Sequence, residues 1–167
     1  TEENVFKNID LAAELGAELF IMDAGWWDEQ GDWEASPSRF PHGMQAIARR
    51  VHERKMLFGL YGEIERASSK ACRVAREHPE WVDWYPRYGV LDLSNPQALS
   101  HAESELTRMM RAYDLDLFRL DYNTPMPEPC EGAPAVRDGI KENRFWRYYD
   151  SFDGMFSRLH MKFPTLI

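Results

Sequence analysis

The chain has 167 residues, with 20 lysines and arginines against 28 aspartates and glutamates, for a net charge of −8. That length builds one domain with its own core. The acidic balance argues against a general nucleic-acid or anionic-membrane binder, because both carry fixed negative charge, and no run approaches the ~20 apolar residues needed to span a bilayer.

In chain order the sequence alternates helix and strand. Thr1 is placed to cap a first helix, with Glu2 and Glu3 in the turn where the helix dipole favours negative charge. Val5, Ile9 and Ala12 recur at helical spacing, and Gly16 is the natural stop. Residues 19–22, Leu-Phe-Ile-Met, form a short apolar run of the kind buried on both faces of a parallel sheet. A polar loop over 28–41 follows. Met44, Ile47, Ala48 and Val51 then mark one face of a second helix, with Arg49, Arg50 and Glu53 outside it.

Residues 56–61 read as the next strand, closing on Gly62-Glu63-Ile64-Glu65. A shorter helical stretch spans 69–77 and ends at His78-Pro79. Residues 90–93 form a small strand, and Leu99, Ala102, Leu106, Met109 and Tyr113 mark the longest helix. Residues 115–120 form a third main strand, closing on Asp121-Tyr122-Asn123. Residues 124–135 hold four prolines and read as a functional loop. Phe145, Tyr149, Phe152, Phe156 and Leu159 mark a last helix, after which Phe163 to Ile167 begin a further strand. The pattern is α/β with a parallel sheet.

Of the two cysteines, Cys72 reads as buried and Cys130 as a loop residue, too few and too far apart for a disulfide scaffold or a zinc motif. Trp26, Trp27, Trp33, Trp81 and Trp84 lie near segment ends, where flat rings can stack on sugar C–H faces, with packing as the default role for each.

Each main strand finishes with a carboxylate: Asp23, then Glu63 and Glu65, then Asp121. The carboxyl ends of parallel strands share one rim, so these acids are expected to approach one another. They could hold Mg²⁺ as hard oxygen ligands, divide between hydroxyl binding and nucleophilic catalysis, or serve as caps and ion pairs. Arg119 and Asp121 are two apart on one strand and so face the same side, with Leu120 opposite and Asn123 continuing the face. A cation beside a carboxylate suits a nucleophile, which attacks in its ionised form, although a structural ion pair has the same pattern.

The run from Ala12 to Trp27 resembles the second strand region of family 36 α-galactosidases (melibiases), typically "ELGIELFVLDDGWF". Gly31-Asp32-Trp33, Phe40-Pro41-His42-Gly43-Met44 and the segment from Phe58 to Glu65 match the family's "GDW", "FPNGL" and "FGLWFEPE" in order. Glu77 to Val82 and Leu91 to Ser94 match "EHPDWV" and "LDLS". Arg119-Leu120-Asp121-Tyr122-Asn123 falls where the family has "KWDMN". The resemblance runs from Glu3 to Tyr122.

The resemblance implies a retaining glycosidase on a (β/α)8 barrel acting on an oligosaccharide or other α-glycoside, with α-galactosides foremost. It assigns the nucleophile to Asp121 and sugar contacts to Asp23, Tyr61, Arg119 and Asn123. It implies no metal or organic cofactor, no nucleic acid and no membrane, and leaves a homo-oligomer of the full-length protein open. The family's acid/base lies on a later strand, and the resemblance gives no support for Glu63 or Glu65 in that role. Four positions depart from the family: Ala24 for the second Asp of "DDGW", Tyr61 and Leu120 for Trp, and Arg119 for Lys.

A complete barrel takes about 250 residues. The expectation is therefore one partial domain over 1–167, cut at both ends, holding the second to fourth strands with their helices and the start of the fifth. Such a piece alone is expected to be inactive and to expose strand edges. The compartment is open, with the cytoplasm slightly favoured. Two other readings remain. A free-standing doubly wound domain would use Asp23 and Asp121 to hold Mg²⁺ for phosphoryl transfer, although Trp26 and Trp27 put bulk where a phosphate loop wants small residues. A non-catalytic carbohydrate-binding relative would account for Ala24 and Leu120.

Overall fold

The structure is a computed structural model and describes residues 1–121 and 141–167, with side chains of the second stretch from Trp146 onward. Asn123, Cys130 and the expected loop over 124–135 lie outside the described residues.

The first helix, α1 (Glu2–Glu14), begins after Thr1, whose side chain makes no capping bond. What fixes that end is Glu2. It is buried, its N–H donates to the Arg39 carbonyl, and its carboxylate accepts the His42 N–H while lying 2.7 Å from His42 Nδ1. At the other end Gly16 adopts φ +79, and the N–H groups of Gly16 and Ala17 return to the carbonyls of Ala13 and Ala12. Those are the two bonds of a Schellman turn, which glycine enters without steric cost.

Strand β1 (Leu19–Met22), helix α2 (Gly43–Glu53) and strand β2 (Leu57–Tyr61) follow as the sequence predicts. Met44, Ile47, Ala48 and Val51 of α2 are all buried, and the three larger ones contribute roughly 1.5–3 kcal/mol each by leaving water. After β2 the small strand expected at 90–93 is present over Gly89–Leu91, but it has two partners that were not expected. Strands β3 (Arg66–Ala67), β4 (Val82–Trp84) and β5 (Gly89–Leu91) form a small antiparallel sheet in the order β3-β5-β4. Helix α3 (Arg73–Glu77), followed by a 3₁₀ turn over Pro79–Trp81, lies within it in sequence. The expected helix over 69–77 starts late because Ser69 caps the Ala71 N–H and, with Ser68, binds Glu29; serine hydroxyls compete with helix bonds in this way.

Helix α4 (Pro96–Ala112) is capped by Asn95, whose side chain accepts from the Gln97 N–H, with Pro96 at the first turn where its missing N–H costs nothing. Strand β6 (Leu117–Arg119) completes a parallel sheet ordered β1-β2-β6. Its register pairs Leu19 with Leu57 and Met22 with Leu60, then Gly59 with Leu117 and Tyr61 with Arg119.

The last helix, α5 (Lys141–Lys162), buries Tyr148, Met155 and Leu159, with Phe152 and Phe156 packed beside them, while Tyr149 is exposed. The apolar face therefore runs through Tyr148, one residue before the expected Tyr149. Arg158 and Lys162 of α5 pair with Glu103 of α4. The expected strand from Phe163 is mostly a turn, since the Leu166 N–H returns to the Phe163 carbonyl. Ile167 does enter the sheet, donating to the Asp116 carbonyl at 2.9 Å and accepting from the Phe118 N–H at 3.1 Å. No helix among the described residues is long and apolar enough to cross a membrane.

The core is unusually aromatic. Trp26 and Trp33 are fully buried and Trp27 and Trp81 nearly so, so these four rings pack. Trp27 meets Trp26 and Trp33 edge-on at 5.0 and 5.1 Å. Trp84 is half-buried, with Lys70 Nζ 5.7 Å from its ring centroid. Cys72 is buried, as expected.

Candidate functional site

The three parallel strands end on one edge, and the polar groups gather there. Asp23 immediately follows β1, Tyr61 is the last residue of β2, and Arg119 is the last of β6. Because β2 lies between β1 and β6, Arg119 must cross the end of β2 to reach Asp23. It does: Nη1 donates to Asp23 Oδ2 and Nη2 to Asp121 Oδ2, each at 3.0 Å. One guanidinium thus joins the carboxylates of the two outer strands. All three side chains remain accessible, at 65%, 41% and 35% exposure for Asp23, Arg119 and Asp121.

The turn after Asp23 is held locally. Asp23 Oδ1 accepts the Ala24 N–H at 2.7 Å. Gly25 sits at φ +94, a conformation that strains any residue with a Cβ. Arg39 then ties the turn from the far side of the polar loop, donating to the carbonyls of Gly25 and Trp27 and to Asp28 Oδ1. No periodicity marks Arg39, a lone arginine in a loop, so its part was invisible in the sequence.

Tyr61 lies just beneath this edge, only 5% exposed. Its ring stacks on Trp27 at 5.8 Å, and its carbonyl accepts the Trp26 indole N–H at 2.9 Å. Burial, with the charge of Glu63 next, pushes the phenol above its ordinary pKa and keeps it protonated.

Glu63 and Glu65 do not join the edge. They are 2% and 3% exposed. Glu63 Oε2 accepts from Arg66 Nη1 at 2.9 Å and Gln30 Nε2 at 3.3 Å. Glu65 Oε2 has no partner among the described residues. Burial, reinforced by the Glu63 charge, raises the Glu65 carboxyl to about 7. The expected convergence of strand-end acids therefore holds for Asp23 and Asp121 and fails for the β2 pair. Between Asp23 and Asp121 stands the Arg119 cation, where the phosphoryl-transfer reading would put Mg²⁺. Among the described residues no group of three His, Cys, Asp or Glu could hold a metal ion.

Fold and site together define an α/β protein whose polar chemistry is concentrated at the carboxyl edge of a parallel sheet. The chain matches the Melibiase family over residues 1–167. It is 28% identical over 183 residues to α-galactosidase 2 of Pediococcus pentosaceus, an alignment covering 100% of this chain and 25% of that protein. Its fold superposes on the α-galactosidase of Lactobacillus brevis with a TM-score of 0.88, at 24% identity, covering 100% of this chain and 24% of the other. A doubly substituted variant of the family 36 α-galactosidase AgaA of Geobacillus stearothermophilus, in complex with raffinose, gives a TM-score of 0.87 at 25% identity, covering 99% of this chain and 25% of that one. The chain spans about a quarter of the length of these relatives. It belongs to the Melibiase family.

Proposed function

We propose that this chain forms part of the catalytic (β/α)8 barrel of a retaining glycoside hydrolase that acts on terminal α-galactosides or a closely related α-glycoside, with Asp121 as nucleophile. In this reading β1, β2 and β6 stand as the second, third and fourth barrel strands, and Ile167 opens the fifth. The observation that carries it is the Arg119–Asp121 pair at the carboxyl edge, within the segment that resembles the family's nucleophile motif. The membership of the whole chain in the Melibiase family supports the substrate class, as does the raffinose held by the Geobacillus relative.

The chemistry follows from the geometry. Arg119 engages only Oδ2 of Asp121, which keeps Oδ1 clear of that ion pair for attack on the anomeric carbon. Attack displaces the leaving group and forms a glycosyl ester on Asp121, which water then hydrolyses. A second carboxyl group about 5–5.5 Å away protonates the leaving oxygen in the first step and takes a proton from water in the second. Buried Glu63 and Glu65 do not suit that task, and the family pattern assigns it to a later strand. Asp23, Arg119 and Asn123 are proposed to bind sugar hydroxyls, with Tyr61 beneath them as the substitute for the family's Trp. Ala24, where the family has a second Asp, lacks a hydroxyl acceptor and weakens discrimination for galactose.

The test is hydrolysis of an aryl α-galactoside by the complete natural protein and its Asp121→Asn variant. Turnover by the first and its loss in the second are expected. Sugar binding without turnover in the natural protein would instead mark a non-catalytic relative.

A further inference from the structure

Resting on the glycosidase reading above, we propose that Asp23 acts through Arg119 as a positioning residue for Asp121, so that the three side chains work as one relay. The family resemblance gives Asp23 the role of a hydroxyl acceptor alone. Its hydrogen bonds say more: Oδ1 is occupied by the Ala24 N–H and Oδ2 by Arg119 Nη1. Both oxygens are thus engaged before any sugar arrives. Among the described residues Asp121 differs, with Oδ2 alone held, by Arg119.

The relay depends on arginine. A compact ammonium would have to serve both carboxylates from a single nitrogen, with no plane to relate one to the other. The planar fork donates through two separate nitrogens and spans the gap. Fixing Nη1 on Asp23 fixes the guanidinium plane, and that plane sets where Nη2 holds Asp121 Oδ2. Asp23 is itself anchored, because the turn it opens is tied down by Arg39. Orientation thus passes from the loop after β1 to the nucleophile just past β6 through two charge-assisted bonds.

The test uses the complete natural protein with Asp23→Asn, Arg119→Gln and the double variant, assayed on an aryl α-galactoside whose first step limits turnover. Asn at 23 can still accept a hydroxyl hydrogen bond, but its amide group no longer ion-pairs with the guanidinium. The relay predicts that Asp23→Asn lowers kcat about tenfold with KM little changed, roughly the effect of losing one charge-assisted bond in the transition state. Combined with Arg119→Gln it adds nothing further, because a broken relay cannot be broken twice. Multiplying losses, or a raised KM at constant kcat, would instead make Asp23 an independent hydroxyl binder and overturn the relay. A crystal structure of Asp23→Asn separates this from the activity assignment. The Asp121 carboxylate is expected to turn from its present orientation; if it stays, the relay is wrong whether or not the natural protein hydrolyses the glycoside.

Discussion

Asp23 and Arg119 are 96 residues apart in sequence and meet at 3.0 Å across the end of β2. Nothing local brings them together. The contact exists because the sheet is ordered β1-β2-β6 and because the register sets Arg119 beside Tyr61 at the carboxyl edge. Any change that loosens the turn after β1 should therefore be felt at Asp121, two residues past β6.

Arg39→Ala is such a change. It removes the donors to the Gly25 and Trp27 carbonyls and to Asp28, all near the surface, so the loss of stability should be modest, about 1 kcal/mol. Activity should fall more than stability suggests, about tenfold, through kcat. Parallel thermal denaturation and steady-state kinetics check the contrast, and a loss confined to Tm would contradict it.

Ala24→Asp returns the acceptor that the family pattern carries. A site that hydrogen-bonds a substrate hydroxyl gains discrimination by large factors. The variant should raise kcat/KM for an aryl α-galactoside by roughly tenfold relative to the matching glucoside. An unchanged ratio would mean that position 24 does not face the sugar.

Gly62 lies where β2 gives way to the buried acids. A Cβ there would stand 2.7 Å from Phe118 Cζ and 3.5 Å from Trp33 Cζ3, both rings of packed side chains with little room to retreat. Gly62→Ala should cost about 1–3 kcal/mol by overpacking. Denaturant titration reads this directly, and a neutral result would show that Phe118 can give way.

Glu65 makes stability depend on pH with an unusual sign. Its carboxyl is raised by burial, and then by the Glu63 charge, from 4.5 to about 7. The folded state thus holds a proton that the unfolded chain releases, and this contribution is complete below pH 4.5 and fades as pH rises through about 7. Glu2 and Glu103 act in another window. Burial opposes ionisation of both, but His42 in one case, and Lys162 with Arg158 in the other, hold their carboxyls below the usual value. Their stabilisation is present above the usual carboxylate range and is lost as pH falls through the lowered values. Between pH 5 and 8, Glu65→Gln should flatten the fall in stability, whatever it does to the absolute value. Denaturation midpoints across that range decide it, and an unchanged slope would contradict the assignment.

Much of the fold was legible because its main signals are long or repeated. The α2 stripe is four buried residues at helical spacing, and β1 is a continuous apolar run that a parallel sheet requires. Of the small antiparallel sheet, the strand near 90–93 was legible but its two partners were not. Those partners are two or three residues long, too short to establish alternation, and their pairing depends on contacts such as Arg66 with Val90. The late start of α3 was hidden because Ser68 and Ser69 turn to Glu29, 39 and 40 residues away. At the candidate site, motif order singled out Asp23, Tyr61, Arg119 and Asp121 in advance. Which acids would meet was not readable, since Asp23 and Asp121 are joined by a side chain from a third position while Glu63 and Glu65 turn inward. Asn123 lies outside the described residues.

Asp121 is the proposed nucleophile, and its reaction can be caught directly. Treating the complete natural protein with a 2-fluoro-α-galactosyl reagent traps a glycosyl ester on whichever carboxylate attacks, and mass spectrometry of the digested protein locates it. One adduct is expected, on the peptide carrying Asp121, and none in Asp121→Asn. An adduct on Asp23, Glu63 or another carboxylate, or labelling that persists in Asp121→Asn, would contradict it.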